Sequence, residues 1–114
     1  MDDCLFCKII SGAIPSTKVY EDDKVYAFRD IAPQAPVHVL LVPKKHISGW
    51  SQVTGESDEL LAHLMRTAAV VAKQEGLEAD GYRIVSNCGQ NARQSVPHLH
   101  LHILGGRELS EKMN

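Results

Sequence analysis

The stretch Pro97-His98-Leu99-His100-Leu101-His102-Ile103-Leu104 alternates imidazoles with aliphatic side chains. Because successive side chains of a β-strand point to opposite faces, it predicts a strand over residues 98–104 with its three histidines on one face. We expect the aliphatic face to pack into the core under the long helix described next. The histidine face is expected to look outward into a site, with neighbouring imidazoles about 6.5–7 Å apart. A solvated strand face is the alternative, but imidazole is the side chain suited to metal ligation, proton transfer or nucleophilic attack near neutral pH.

The rest of the chain predicts two helices and four further strands. The strands are expected at residues 18–21, 25–28, 38–42 and 82–86, and a short helical turn at 4–11. Apolar residues recur at helical spacing over 57–75, with Ser57 as a good N-cap and Gly76 at the C′ position. Short turns join neighbouring strands, which favours an α+β fold: a five-stranded antiparallel sheet with its helices on one face.

Composition sets limits on the class of protein. A chain of 114 residues fits a single domain, 1–114, and its net charge of -2 argues against a protein that mainly grips nucleic-acid phosphates. No apolar run is long enough to span a bilayer, so no membrane association is expected. Three cysteines and an acidic beginning without an export signal indicate reduced thiols in the cytoplasm.

Two chemistries fit the histidine strand. Histidines at positions i and i+2 can chelate a catalytic zinc ion that activates water. Alternatively, the central His100 attacks a phosphorus centre while its neighbours supply hydrogen bonds. The preceding loop favours attack on phosphorus, because Asn87, Gln94 and Ser95 are neutral hydrogen-bond donors suited to a phosphate.

The His-φ-His-φ-His-φ-φ pattern of residues 98–104, in which φ is apolar, resembles the signature of the histidine-triad (HIT) family. Segments along nearly the whole chain resemble its Hint branch: Phe6-Cys7-Lys8-Ile9-Ile10, Tyr20-Glu21-Asp22, Ala27-Phe28-Arg29-Asp30-Ile31, Pro33-Gln34-Ala35-Pro36, Pro43-Lys44-Lys45-His46-Ile47 and Gly105-Gly106-Arg107. The resemblance implies a HIT-like fold that forms a homodimer through the long helix and a neighbouring strand. It also implies hydrolysis of purine nucleoside 5′-phosphoramidates and related nucleotidyl conjugates to nucleoside monophosphates.

The resemblance also implies a role for individual residues. His100 would be the nucleophile that becomes covalently nucleotidylated, assisted by His102, His38 and Ser95. Asp30 would accept from the ribose hydroxyls. The phosphate would be bound by side-chain donors and backbone of Asn87, Gln94, Ser95 and Val96. The base would lie between apolar side chains of Ile9, Phe28 and Ile31.

Cys4 and Cys7 form a CxxC pair, which alone fits either zinc binding or two small buried thiols. By the resemblance, His46 and His98 complete a four-ligand zinc site, which is structural rather than catalytic.

The loop before the histidine strand departs from the family pattern at one position. Ala92-Arg93 stands where the family commonly has a glycine pair, so Arg93 either adds charge near a phosphate or points to solvent. A non-catalytic nucleotide-binding or adaptor protein is the remaining alternative to an enzyme.

Overall fold

The computed structural model describes residues 3–113, and five strands in it form one antiparallel sheet. The strands are β1 (Lys18–Glu21), β2 (Val25–Arg29), β3 (Val37–Pro43), β4 (Tyr82–Val85) and β5 (Leu101–Gly105), in the spatial order β1-β2-β3-β5-β4. The predicted sheet is therefore confirmed, with β3 at its centre and β1 and β4 at its edges. Within residues 3–113, no helix is long and apolar enough to cross a membrane.

The fold has two α-helices: α1 (Leu5–Ser11) precedes β1, and α2 (Asp58–Gln74) lies between β3 and β4 in the chain. The side chain of Ser57 caps α2 by accepting from Leu60 N, and Gly76 follows the helix with φ +76°. Both features match the sequence prediction. In α1, the thiol of Cys4 is the N-cap and accepts from Cys7 N at 3.4 Å.

The helices lie on opposite faces of the sheet, so the prediction that both share one face is wrong. The reason is that β3 is apolar on both sides. Val39 and Leu41 pack with α2, whereas Leu40 and Val42 pack with α1. Each apolar face needs a cover, since exposed aliphatic surface is unfavourable in water.

Strand β5 begins at Leu101, three residues later than expected. The backbone at His98–His100 bonds to groups outside the ladder: Leu99 N donates to Ile47 O, and His100 O accepts from the Ser86 hydroxyl. The histidine side chains still alternate with core residues, because Leu99, Leu101 and Ile103 all join the cluster under α2 with Leu64.

Two 3₁₀ helices, Trp50–Gly55 and Gln90–Ala92, were not predicted. After β5 the chain turns at Gly106, which has φ +94° and where a Cβ atom would lie 2.9 Å from Pro36. Only glycine fits this turn without strain.

Candidate active site

The histidine face is covered rather than open. Phe6 of α1 packs edge-on over His100, with ring centroids 4.9 Å apart, and it also contacts His98 and Phe28. His98 is fully buried and His100 nearly so. The expectation that the whole face looks outward is therefore wrong, because α1 closes over its first two histidines. The centroids of the His100 and His102 rings are 5.1 Å apart, closer than expected.

The backbone fixes which nitrogen of His100 carries the proton. Nδ1 lies 2.7 Å from the carbonyl oxygen of His98, and a carbonyl can only accept. The neutral ring therefore has its proton on Nδ1 and a free lone pair on Nε2. A fixed acceptor of this kind orients an imidazole for nucleophilic attack.

His102 has the opposite tautomer. Gln34 N donates to Nδ1 of His38 at 3.0 Å, so the proton of a neutral His38 is on Nε2. That nitrogen lies 2.8 Å from His102 Nδ1 and donates to it. His102 must then carry its own proton on Nε2. A hydrogen-bond donor and a lone pair thus lie on neighbouring rings.

His38 and His102 both favour the neutral form. Burial lowers the pKa of His38, and the nearby Asp30 carboxylate, 3.5 Å from Nε2, opposes this. Burial, with the neighbouring imidazoles of His100 and His38, lowers the pKa of His102 to about 4. The chain of donors described above therefore holds at neutral pH.

A cavity of about 330 Å³, called here the histidine cavity, reaches His100 and His102. Its other lining residues are largely apolar: Leu5, Phe6, Ile9, Ile14, Pro15, Ser16, Phe28, Arg29, Asp30, Ile31, Leu40, Ser95 and Val96. This size and this lining are typical of a small-molecule site. The structure brings together eight of the predicted nucleotide contacts, although Ile31 is fully exposed at the rim.

Asp30 has two contacts that bear on its predicted role. One oxygen accepts from Ala32 N at 2.8 Å, as a loop-capping aspartate does, and the other lies near His38. The carboxylate nevertheless lines the cavity.

Asn87 and Gln94 are not among the residues that line the histidine cavity. The Gln94 side chain is tied into its own loop: its amide oxygen accepts from Gly89 N, and its nitrogen donates to the carbonyls of Ser48 and Val96. Gln94 therefore braces the loop that carries Ser95. Direct contacts of Asn87 and Gln94 with a nucleotide stay predictions.

The four residues predicted as zinc ligands form one cluster. Their ligand atoms all lie within 4.8 Å of one another, and the thiol–imidazole distances are 3.4–3.6 Å. Zinc–sulfur bonds of about 2.3 Å and zinc–nitrogen bonds of about 2.0 Å at tetrahedral angles place such atoms about 3.5 Å apart. His98 Nε2 donates to Pro43 O at 2.8 Å, which leaves Nδ1 free toward the thiols. The donor set and its spacing fit a tetrahedral zinc site.

Asp30, His38 and His102 also cluster within metal-binding distance, but their protonation does not fit a metal. Since His38 Nδ1 accepts from Gln34 N, its Nε2 carries the proton and has no lone pair to offer. This argues against a catalytic zinc ion held by Asp30, His38 and His102.

Two groups at this site were not predicted from the sequence. Phe6 covers the imidazoles, and Gln34 N sets the tautomer of His38. The position of Phe6 between Cys4 and Cys7 was a usable signal, because the contacts of the two thiols with His46 and His98 also fix where the residues between them lie. Gln34 acts through its backbone, so its side chain gave no signal.

Comparison with known proteins agrees with the geometry. The HIT domain family matches residues 11–109. The purine nucleoside phosphoramidase of Escherichia coli is 45% identical over 108 residues, covering 95% of this chain and 91% of that protein. The 14 kDa zinc-binding protein of Zea mays is 54% identical over 108 residues, covering 93% of this chain and 84% of that protein.

Solved structures agree as well. The crystal structure of a HIT family hydrolase from Legionella pneumophila superposes with a TM-score of 0.92 at 50% identity, covering 96% of this chain and 97% of that one. A family match over most of the chain, close relatives at near full length and a shared fold all agree. The chain belongs to the HIT family and is one of its hydrolases.

Proposed function

We propose that this protein hydrolyses purine nucleoside 5′-phosphoramidates and related nucleotidyl conjugates through a covalent nucleotidyl intermediate on His100. The observation that carries this proposal is the pair of opposite tautomers at the histidine cavity: a bare Nε2 on His100 beside an N–H on His102. A nucleophile and a donor side by side are what displacement at phosphorus needs. The phosphoramidase name of the Escherichia coli relative supports the substrate class.

Each part of the nucleotide has a counterpart in the cavity. Ile9 and Phe28 offer apolar surface to the flat base, and the Asp30 carboxylate can accept from two ribose hydroxyls. Ser95 and Val96 line the same cavity as His100 and His102, and we expect the phosphate to be bound there.

The reaction would run in two displacements. The His100 Nε2 lone pair bonds to phosphorus, and the bond from phosphorus to the leaving nitrogen breaks; that nitrogen keeps the electron pair and takes a proton from solvent. His102 Nε2–H stabilises the developing negative charge, and His98 O stabilises the charge on the nucleotidylated ring through Nδ1–H. Water then attacks phosphorus and releases a proton to solvent, the bond to Nε2 breaks with its electron pair returning to the ring, and the nucleoside monophosphate leaves.

The test compares His100→Asn with His63→Asn on a fluorogenic adenosine 5′-phosphoramidate. His63 lies on α2, where it pairs with Asp22 outside the cavity, and is the matched histidine control. We expect His100→Asn to lose at least about a thousandfold in kcat/KM, as for loss of a nucleophile. Wild-type protein should be quenched rapidly during turnover and analysed by mass spectrometry. The peptide that contains His100 should carry an added AMP, attached through an acid-sensitive bond.

Equal activity of both variants would exclude His100 as the nucleophile. An inactive wild type that still binds AMP would instead support a nucleotide-binding or adaptor protein.

We also propose that Cys4, Cys7, His46 and His98 hold a structural zinc ion. The spacing of their ligand atoms supports this, and so does the name of the Zea mays relative. Zinc there would tie α1 to the start of the histidine segment and supply no step of the reaction. Free thiols at these positions also fit the reducing cytoplasm that the sequence predicts.

Finally, we propose a homodimer formed through α2 and β4. The supporting observation is an apolar patch where Trp50, Met65 and Ile84 are 50%, 71% and 44% exposed around a cavity of about 330 Å³. Strand β4 is also an edge strand, with backbone groups free to pair.

A further inference from the structure

Arg93 has a backbone conformation that is unfavourable for an arginine. Its φ of 62° and ψ of 40° lie in the left-handed region, and no other non-glycine residue in the described range 3–113 has a positive φ. Glycine adopts this conformation without a steric penalty. The loop imposes it, because Arg93 N donates to Gln90 O and Gln94 N donates to Gly89 O.

The Arg93 side chain makes no structural contact that would explain why an arginine is present here. It is exposed, and it has no hydrogen bond or ion pair with any residue between 3 and 113. By contrast, the neighbouring Gln94 makes three hydrogen bonds that hold the loop. The loop is therefore stable without the guanidinium.

Arg93 instead lines an open cavity of about 540 Å³, together with Gly89, Gln90, Gln94 and Pro97. Arg93 is the only charged residue of this lining. Gln94 and Pro97 flank Ser95 and Val96, which line the histidine cavity. The Ser95–Val96 segment thus separates a positively charged cavity from the place where the phosphate would be bound.

We propose that Arg93 forms an anion subsite, and that the enzyme prefers nucleotidyl conjugates whose leaving group carries a negative charge. The inference rests on the proposed function. The nucleoside fills the apolar histidine cavity, so the leaving group is the part of the substrate free to extend past Ser95. Guanidinium binds carboxylate and other oxyanions through paired N–H donors, which suits a leaving group with such an end.

The test uses two adenosine 5′-phosphoramidates of nearly equal size, made from β-alanine and from its neutral amide. We expect wild-type kcat/KM to be about fivefold higher for the carboxylate, the upper range for an exposed ion pair. Arg93→Gln and Arg93→Gly should both bring the ratio of the two kcat/KM values to about one, and Arg93→Lys should keep part of the preference. Arg66→Gln makes the same change in net charge on the exposed side of α2 and should keep the wild-type ratio.

High salt should also reduce the wild-type ratio, since ions screen an exposed pair. Cleavage of both compounds with a wild-type ratio near one would overturn the subsite and leave the proposed function standing. A ratio that Arg66→Gln lowers as much as Arg93→Gln would show a general charge effect and also overturn it. If wild type cleaves neither compound, the proposed function fails and this inference fails with it.

Discussion

Three backbone groups decide the proton positions among the histidines. His98 O accepts from His100, Pro43 O accepts from His98, and Gln34 N donates to His38. In each of these three rings, the contact fixes which nitrogen carries the proton and which has the lone pair. The task of each imidazole depends less on the residue type than on the backbone atom it faces.

At the same scale, folding stability should depend on the protonation of His102. Its pKa falls from the usual 6.5 to about 4, chiefly because of burial. Below pH 6.5 the unfolded chain takes up a proton that the folded ring resists, so stability is lost as pH falls from about 6.5 to 4. We expect a loss on the order of 3 kcal/mol at pH 4 from this group.

Urea denaturation at pH 7, 5.5 and 4 of wild type and His102→Asn measures this. Asparagine can still accept from His38 but does not titrate, so the stability difference between the two proteins should narrow as pH falls. A constant difference would show that His102 protonates equally in both states.

At the scale of elements, the β1–β2 hairpin depends on one carboxylate. Asp22 accepts from the backbone of Lys24 and Val25 and from Tyr20 and His63. Burial alone would raise its pKa, but these hydrogen bonds outweigh it and lower the pKa to about 2. We expect Asp22→Ala to lower the free energy of unfolding by about 1–2 kcal/mol, measured by urea denaturation at pH 7.

Asp23 is the matched control, because it is the next residue of the same turn and is exposed. Asp23→Ala should change stability by less than about 0.5 kcal/mol. Equal losses in the two variants would show that general charge in the turn, rather than the Asp22 bonds, holds the hairpin.

Helix α1 is short, and we expect the proposed zinc ion to anchor it. Cys7→Ser should lose the metal, measured as zinc per chain, and lower the free energy of unfolding by about 2–4 kcal/mol at ordinary zinc excess. Cys88→Ser removes a thiol outside the cluster and should change neither the zinc content nor the free energy of unfolding. Residual phosphoramidate cleavage by the folded, zinc-free protein is expected; its complete loss would contradict a purely structural role.

At the scale of the whole molecule, the proposed dimer predicts a concentration-dependent association that one charge abolishes. Ile84→Lys places an ammonium group in the apolar patch on edge strand β4 and should give monomers in analytical ultracentrifugation. Ile31→Lys, a charge added at a fully exposed isoleucine elsewhere, should leave the association unchanged. A monomeric wild type would exclude the dimer.

Periodicity predicted the strands and the long helix well, because β5 and α2 keep one face in a single core. It did not predict which side of the sheet α1 covers. A strand such as β3, which is apolar on both faces, indicates only that both faces are covered. At the site, residue types indicated His100, His102 and the thiol cluster. Side-chain pattern carries no information about backbone donors such as Gln34 N, and the single-domain assignment of 1–114 stays a prediction.

His98 has two tasks carried by different atoms: its ring faces the thiols, and its carbonyl oxygen holds the proton of His100. A mutation of the side chain removes the first and leaves the second in place, because every residue type has a carbonyl group. The proposed zinc site and the proposed nucleophile are therefore separable in evolution, although His98 contributes to both. A lineage that lost the thiols would still keep the hydrogen bond from His100 Nδ1 to the carbonyl oxygen of residue 98, which orients the His100 ring.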